Sequence, residues 1–204
     1  MSAPAPITVS APQKVGAATL TSVTSGGTTG STHYGYKIVG LDSAGNHTAA
    51  SAEVVATDGN ATLSNTNNEA LAWTDPAHCT SVAIYRTTGG ATQGLIGTVA
   101  AGVQAFTDTG LVADGSTPPA TDTTGIGVQT TTTAAWDPVF YLDGTFTGTY
   151  QPQVSYDGTN WLSVGSALAA PGWVNLPGSS VAFRLKCTAY TSGTPTAKLL
   201  YFRR

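Results

Sequence analysis

The chain has 204 residues, of which 41% are hydrophobic and only 9% are charged, with a formal net charge of -3. This length suits two domains of about 100 residues each, and such hydrophobicity at low net charge excludes a disordered chain. Only eight Lys and Arg residues are present, which argues against a nucleic-acid partner because phosphate binding needs a basic patch. No segment approaches the roughly 20 apolar residues of a membrane span, and no export signal precedes the first domain, so we expect synthesis in the cytoplasm and no membrane partner.

The first 16 residues predict an N-terminal arm, or at most an edge strand. Pro4, Pro6 and Pro12 each remove a backbone donor from this stretch. Residues 17–122 predict a first β-sandwich. Within it, Tyr34 and Tyr36 alternate with smaller or polar neighbours at a period of two, which places their side chains on one face of a sheet.

The centre of this first domain is predicted around Trp73. Leu71 and Trp73 share one strand face, as do Val82 and Ile84 on the next strand. Trp73, Ile84 and Tyr36 are therefore the predicted core. Truncating a buried Trp costs about 3 to 5 kcal/mol, so we expect Trp73→Ala to unfold this domain.

Three motifs in this region resemble a known family. YGYKIVGLDSAGNHTAAS is similar to the late strand and loop of a fibronectin type III domain, and LAWTDP with TSVAIYRTTGG is similar to its early Trp strand and the next strand. In the usual domain the Trp strand comes first, whereas here Tyr36 precedes Trp73. Residues 17–122 therefore resemble the permuted fibronectin-like modules of bacteriophage virion proteins.

A boundary is predicted over residues 113–127, where Pro118 and Pro119 lie among Thr, Asp and Gly, with the linker itself at 123–127. The second domain, 128–204, predicts strands at 129–135, 138–142, 149–156, 161–164, 172–176, 181–189 and 197–202. Phe183 and Leu185 alternate with cationic neighbours, which makes them core residues of a half-solvated strand. SYDGTNW and TAYTSGTP are similar to compact jelly-roll or Ig-like sandwiches of phage head-fibre, decoration and tail proteins.

The sequence thus predicts an all-β fold: two tandem antiparallel β-sandwich domains, fibronectin type III/Ig-like and then smaller, with a short N-terminal arm. Cys79 and Cys187 lie in different predicted domains, and we expect two free, partly buried thiols.

No motif predicts catalysis, a cofactor or a metal. His33, His47 and His78 lack any metal-site spacing, and the Asp residues occupy turn positions. Asp157 with Asn160 fits a turn better than the alternative of a calcium ligand pair.

The aromatic residues near loops of the second domain are the remaining candidates. Tyr156, Trp161 and Trp173 either contact a glycan or a partner protein, or plug the sandwich. The phage resemblance implies a non-enzymatic virion protein of decoration, head-fibre or tail-associated type, assembled in the host cytoplasm. Its expected partners are capsid or tail proteins and further copies of itself, as a homo-oligomer or bound to a lattice. The alternative is an adhesive module that contacts host-surface glycans.

Overall fold

The structure, a computed structural model, describes residues 5–9, 11–127, 130–131, 137–177, 180 and 182–202. All regular elements in this part of the chain are β-strands, and every strand pair is antiparallel. The all-β prediction is confirmed. In chain order the strands are β1 (Ile7–Val9), β2 (Leu20–Gly26), β3 (Thr32–Leu41), β4 (Val54–Gly59), β5 (Asn68–Trp73), β6 (Ser81–Thr88), β7 (Gly94–Ala100), β8 (Ala105–Asp108), β9 (Thr130–Thr131), β10 (Asp137–Asp143), β11 (Phe146–Ser155), β12 (Leu162–Ser163), β13 (Gly172–Asn175), β14 (Ala182–Gly193) and β15 (Thr196–Phe202).

The strands form two compact units whose boundaries differ from the predicted ones. Unit 1 combines the described residues of Met1–Lys14 and Gly125–Arg204, and unit 2 is Val15–Thr124. Residues 1–16 were predicted as an N-terminal arm or at most an edge strand, and the structure shows the edge strand: β1 pairs with β15 at the edge of a sheet, with Val9 opposite Ala197. Backbone pairing and burial of Val9 explain why this strand joins the sheet. Unit 2 is therefore inserted into unit 1 between β1 and β9.

The residues predicted as a linker, 123–127, are also paired rather than extended and unbonded. The backbone N–H of Gly127 donates to the carbonyl of Leu185 at 2.8 Å, within unit 1. The backbone N–H of Thr123 donates to the carbonyl of His47 at 2.8 Å, within unit 2. The chain passes from unit 2 to unit 1 between Thr124 and Gly125. One of these hydrogen bonds therefore lies on each side of that boundary, so the backbone is bonded close to it in both units.

Unit 1 is a sandwich of two four-stranded sheets, with orders β1-β15-β10-β13 and β12-β11-β14-β9. Their inward side chains share one core, where the rings of Phe140 and Phe183 lie 5.2 Å apart. The predicted core residues Phe183 and Leu185 are fully buried there. The alternation along β14 produces this pattern because successive side chains of a strand point to opposite faces. Of the strand predicted at 129–135, the structure describes only β9; the rest lies outside the described residues.

Unit 2 pairs a three-stranded sheet, β2-β5-β8, with a four-stranded sheet, β4-β3-β6-β7. Tyr36, Trp73 and Ile84 are all buried in its core. The Tyr-rich strand β3 lies directly beside β6, and Ile38 is opposite Ile84. β3, which comes before the Trp73 strand in the chain, is thus paired with β6, the strand that follows Trp73, in the sheet that does not contain Trp73.

Candidate binding face of unit 1

The outer face of the sheet β1-β15-β10-β13 carries an aromatic pair. Tyr141 of β10 lies directly opposite Trp173 of β13. The residues on either side of Tyr141 in the chain, Phe140 and Leu142, point inward and are fully buried. Because the strand alternates, Tyr141 and Trp173 are held side by side on the outward face. Trp173 is 64% exposed, so its ring is open to solvent.

The aromatic pair forms part of a groove of about 730 Å³. Leu200 and Phe202 of β15 extend the apolar surface on the other side of β10, and Phe202 is 53% exposed. Val139 lies on the central strand β10, with Leu200 of β15 opposite it on one side and Asn175 of β13 opposite it on the other. The groove therefore has an apolar floor, built by three neighbouring strands of one rigid sheet.

Polar side chains stand at the edges of this apolar strip. Asn175 is exposed and lines the groove beside Val139. Asp137 lies opposite Phe202 at one end, and Lys198 lies opposite Tyr141. Asp137 and Lys198 have opposite signs, and Asp143, two residues after Tyr141 on the same side of β10, adds a second exposed carboxylate, so the face carries no excess of cations.

The three aromatic residues predicted as contacts do not form one site. Only Trp173 lies in the groove; Tyr156 follows the last residue of β11, and Trp161 precedes β12, both in the opposite sheet. The guanidinium of Arg184 stacks over Trp161 at 4.2 Å from the ring centre. Arg184 also donates through Nε to Oε1 of Gln153 at 2.9 Å. One face of the Trp161 ring is thus already covered by a cation–π contact.

Sequence reasoning missed Tyr141, Leu200 and Phe202 as surface candidates. The alternation in DPVFYLD was a usable signal, since a buried Phe140 requires an outward Tyr141. The match between Tyr141 and Trp173 was not readable, because it depends on the register of two strands about 30 residues apart.

The loop at Asp157 is a turn. One carboxylate oxygen of Asp157 accepts bonds from the backbone N–H groups of Thr159 and Asn160, and the other accepts a bond from the Asn160 side chain. These donors hold the pKa of Asp157 well below its ordinary value. No group of three metal-binding side chains occurs among the described residues.

Unit 2 contains a buried polar cluster. Arg86 and Asp108 form an ion pair at 2.5 Å, and the Tyr36 hydroxyl donates to the same carboxylate at 2.8 Å. Burial and the neighbouring Asp108 charge raise the pKa of Tyr36 far above its ordinary value. The cluster is closed to solvent, and its polar groups bond to one another.

Both cysteines are free thiols, as predicted: Cys187 is buried and Cys79 is half-buried. Burial raises the pKa of each thiol, which keeps both in the unreactive protonated form. In the part of the chain that the structure covers, no helix is long and apolar enough to span a bilayer.

Comparison of the chain with protein-family models, with curated proteins and with solved structures gave no match in any of the three.

Proposed function

We propose that this chain is a non-enzymatic structural subunit of a bacteriophage particle, of decoration, head-fibre or tail-associated type. In this proposal unit 1 attaches to other virion proteins, and unit 2 is the displayed module. The chain reaches the particle in the host cytoplasm, where virions assemble.

The observation that carries the proposal is the insertion of one complete sandwich into another. The chain leaves unit 1 after Lys14 and returns at Gly125. Within unit 2, the N–H of Val15 donates to the Thr124 hydroxyl oxygen at 3.3 Å, so both ends of the inserted segment are held together. Pairing of β1 with β15 meanwhile completes a sheet of unit 1. A module that is joined to its carrier through both of its chain ends suits display by that carrier.

The strand order of unit 2 supports the same proposal. The resemblance to permuted fibronectin-like modules of virion proteins requires the Tyr strand to lie beside the strand that follows the Trp strand. β3 and β6 are paired in this way. A particle lattice would hold many copies, so each attachment can be weak and still persist through high effective concentration.

The polar groups also favour a structural role over catalysis. The Asp157 carboxylate accepts hydrogen bonds within its own turn, and Asp108 is engaged by Arg86 and Tyr36. A general acid, base or nucleophile has to reach a substrate, whereas Asp108 is sealed in the core.

The test is the protein content of purified phage particles. Mass spectrometry with isotope-labelled peptides of this chain should find it in mature virions in a copy number set by the particle symmetry. Cryo-electron microscopy should show density for two β-sandwiches per copy. Absence of the chain from virions, combined with its accumulation in the infected cell, would overturn the proposal.

A further inference from the structure

We infer that the outer face of the unit 1 sheet is a binding site for an uncharged saccharide, centred on Trp173 and Tyr141. This inference goes beyond the proposed structural role, and it holds whether or not the chain is part of a particle. The shape, polarity and charge of the groove each favour this class of ligand.

The aromatic pair gives the site its stacking surface. A pyranose ring presents apolar C–H bonds on a face, and its hydroxyl groups project from its edge. Flat aromatic side chains suit such a face because they offer a large apolar area at low conformational cost. Trp173 and Tyr141 lie on directly opposed positions of paired strands, so the stacking surface exists before a ligand arrives.

The polar rim fits the hydroxyl groups of the same ligand. The Asn175 amide both donates and accepts hydrogen bonds, the ammonium of Lys198 donates, and the Tyr141 hydroxyl does both. Asn175 lines the groove, and Lys198 is exposed beside Tyr141. Sugar hydroxyls need both kinds of partner along an apolar strip.

The charges select a neutral ligand. The single cation on this face, Lys198 beside Tyr141, is accompanied by two carboxylates on β10, Asp137 at one end of the groove and Asp143 beyond Tyr141. A site for phosphate or sulfate groups would present several cations without a balancing carboxylate. The face is therefore matched to an uncharged saccharide rather than to a polyanion.

The size of the groove favours a small ligand over a second protein. Its volume of about 730 Å³ lies within the range of about 300 to 1,000 Å³ that is usual for small-molecule sites. Among the described residues of this unit, the exposed aromatic residue outside the groove is Tyr156, in the loop that follows β11 of the opposite sheet. It cannot extend the apolar strip toward the broader area of a standard protein interface.

The inference is tested by titrating the full chain with neutral tetrasaccharides. Cellotetraose, maltotetraose, mannotetraose and chitotetraose are added to about 5 mM, enough to detect millimolar dissociation constants. Binding is followed by ¹⁵N NMR, including the indole signals. We expect at least one saccharide to shift the Trp173 indole signal together with backbone signals of β10, β13 and β15.

Three variants locate the binding site. Trp173→Ala should weaken binding at least about tenfold, and Asn175→Ala should weaken it about three- to tenfold, as expected for loss of a hydrogen bond. Tyr156→Ala is the matched control, because Tyr156 is 47% exposed in the loop that follows β11 of the opposite sheet; saccharide binding by this variant should be unchanged. Trp173 is itself exposed, so its loss leaves the core intact.

Four results would overturn the inference. They are failure of every saccharide to bind, equal binding by Trp173→Ala, tighter binding of a heparin tetrasaccharide than of any neutral one, and a change of oligomeric mass in Trp173→Ala. The last would assign the face to contact between copies. The presence of the chain in virions tests the proposed function and not saccharide binding. The proposed function and the saccharide site can therefore fail independently of each other.

Discussion

Arg86 and Asp108 form an ion pair in the interior of unit 2, with side chains 1% and 0% exposed. Arg86 also donates to the carbonyls of Thr92 and Leu111, while the second Asp108 oxygen accepts the N–H groups of Gly110 and Leu111. The pair therefore ties β6, β8 and two loops together. Its charges tolerate burial because each one has several hydrogen-bond partners.

Breaking this pair should strongly destabilise unit 2. Arg86→Met leaves the Asp108 carboxylate buried without its cation, and we expect the free energy of unfolding to fall by about 3 to 5 kcal/mol. The free energy of unfolding is measured by denaturant titration, with the indole NMR signal of Trp73 as the probe, since Trp73 is the only tryptophan of unit 2.

Two further variants show whether loss of the Arg86–Asp108 ion pair causes the destabilisation. Asp108→Asn added to Arg86→Met should cost less than the sum of the single changes, because no unpaired charge is left. Lys37→Met removes a cation from β3 without burying a charge and should change stability by less than about 0.5 kcal/mol. Additive losses would show that the two side chains contribute independently.

A second prediction compares the same substitution, Trp to Ala, at a buried position, Trp73, and at an exposed one, Trp173. Trp73 is buried and its indole N–H donates to Asp75 at 3.0 Å, whereas Trp173 is exposed. Trp73→Ala should lower the free energy of unfolding of unit 2 by about 3 to 5 kcal/mol. Trp173→Ala should leave unit 1 within about 0.5 kcal/mol of the unchanged protein. Calorimetry of both variants measures this, and equal losses would contradict the assigned burial.

Local patterns were sufficient to predict the class of fold and much of the core. Alternation along β14 identified Phe183 and Leu185, and the strand around Trp73 was placed by its apolar spacing. Both signals depend only on neighbours within one strand, because a sheet with one buried face imposes a period of two.

Long-range pairing could not be predicted in the same way. β1 has only three residues, and its partner β15 lies at the far end of the described chain. The burial of Arg86 was also unexpected, because Arg is almost never fully buried unless it is paired. The groove escaped prediction for a related reason: Trp173 was identified, but its partners Tyr141 and Phe202 depend on strand register.

The assignment of β1 to unit 1 leads to a third prediction. Val9 is buried in the core of unit 1, whereas its neighbour Thr8 is exposed opposite Lys198. Val9→Asp should lower the free energy of unfolding of unit 1 by at least about 2 kcal/mol, because it buries a carboxyl group among apolar side chains. Thr8→Asp is the matched control and should have little effect.

NMR can follow both units in one sample. The indole signal of Trp161 reports on unit 1 and that of Trp73 on unit 2. Val9→Asp should shift the unfolding of Trp161 and leave that of Trp73 unchanged. Equal, small effects of both substitutions would mean that residues 7–9 form a detached arm.

A last prediction concerns Glu69, a fully buried carboxylate on β5. It lies opposite Asp108 on one side and Ser25 on the other, and the Ser25 hydroxyl bonds to it at 3.0 Å. Gly59 covers it closely, since a Cβ there would lie 2.6 Å from its Oε1. Burial, with the nearby charges of Asp58 and Asp108, raises the pKa of Glu69 above its ordinary value.

The raised pKa determines how the stability of unit 2 depends on pH. The folded state holds the Glu69 proton more tightly than the unfolded state, so this contribution is complete below the ordinary pKa and is lost as pH rises through the raised one. Glu69→Gln removes the ionisation but keeps a partner for Ser25. We therefore expect the stability of Glu69→Gln, relative to the unchanged protein, to increase from pH 4 to pH 8. Thermal unfolding of both proteins across this pH range measures the difference in stability. A difference that stays constant with pH would refute the raised pKa of Glu69.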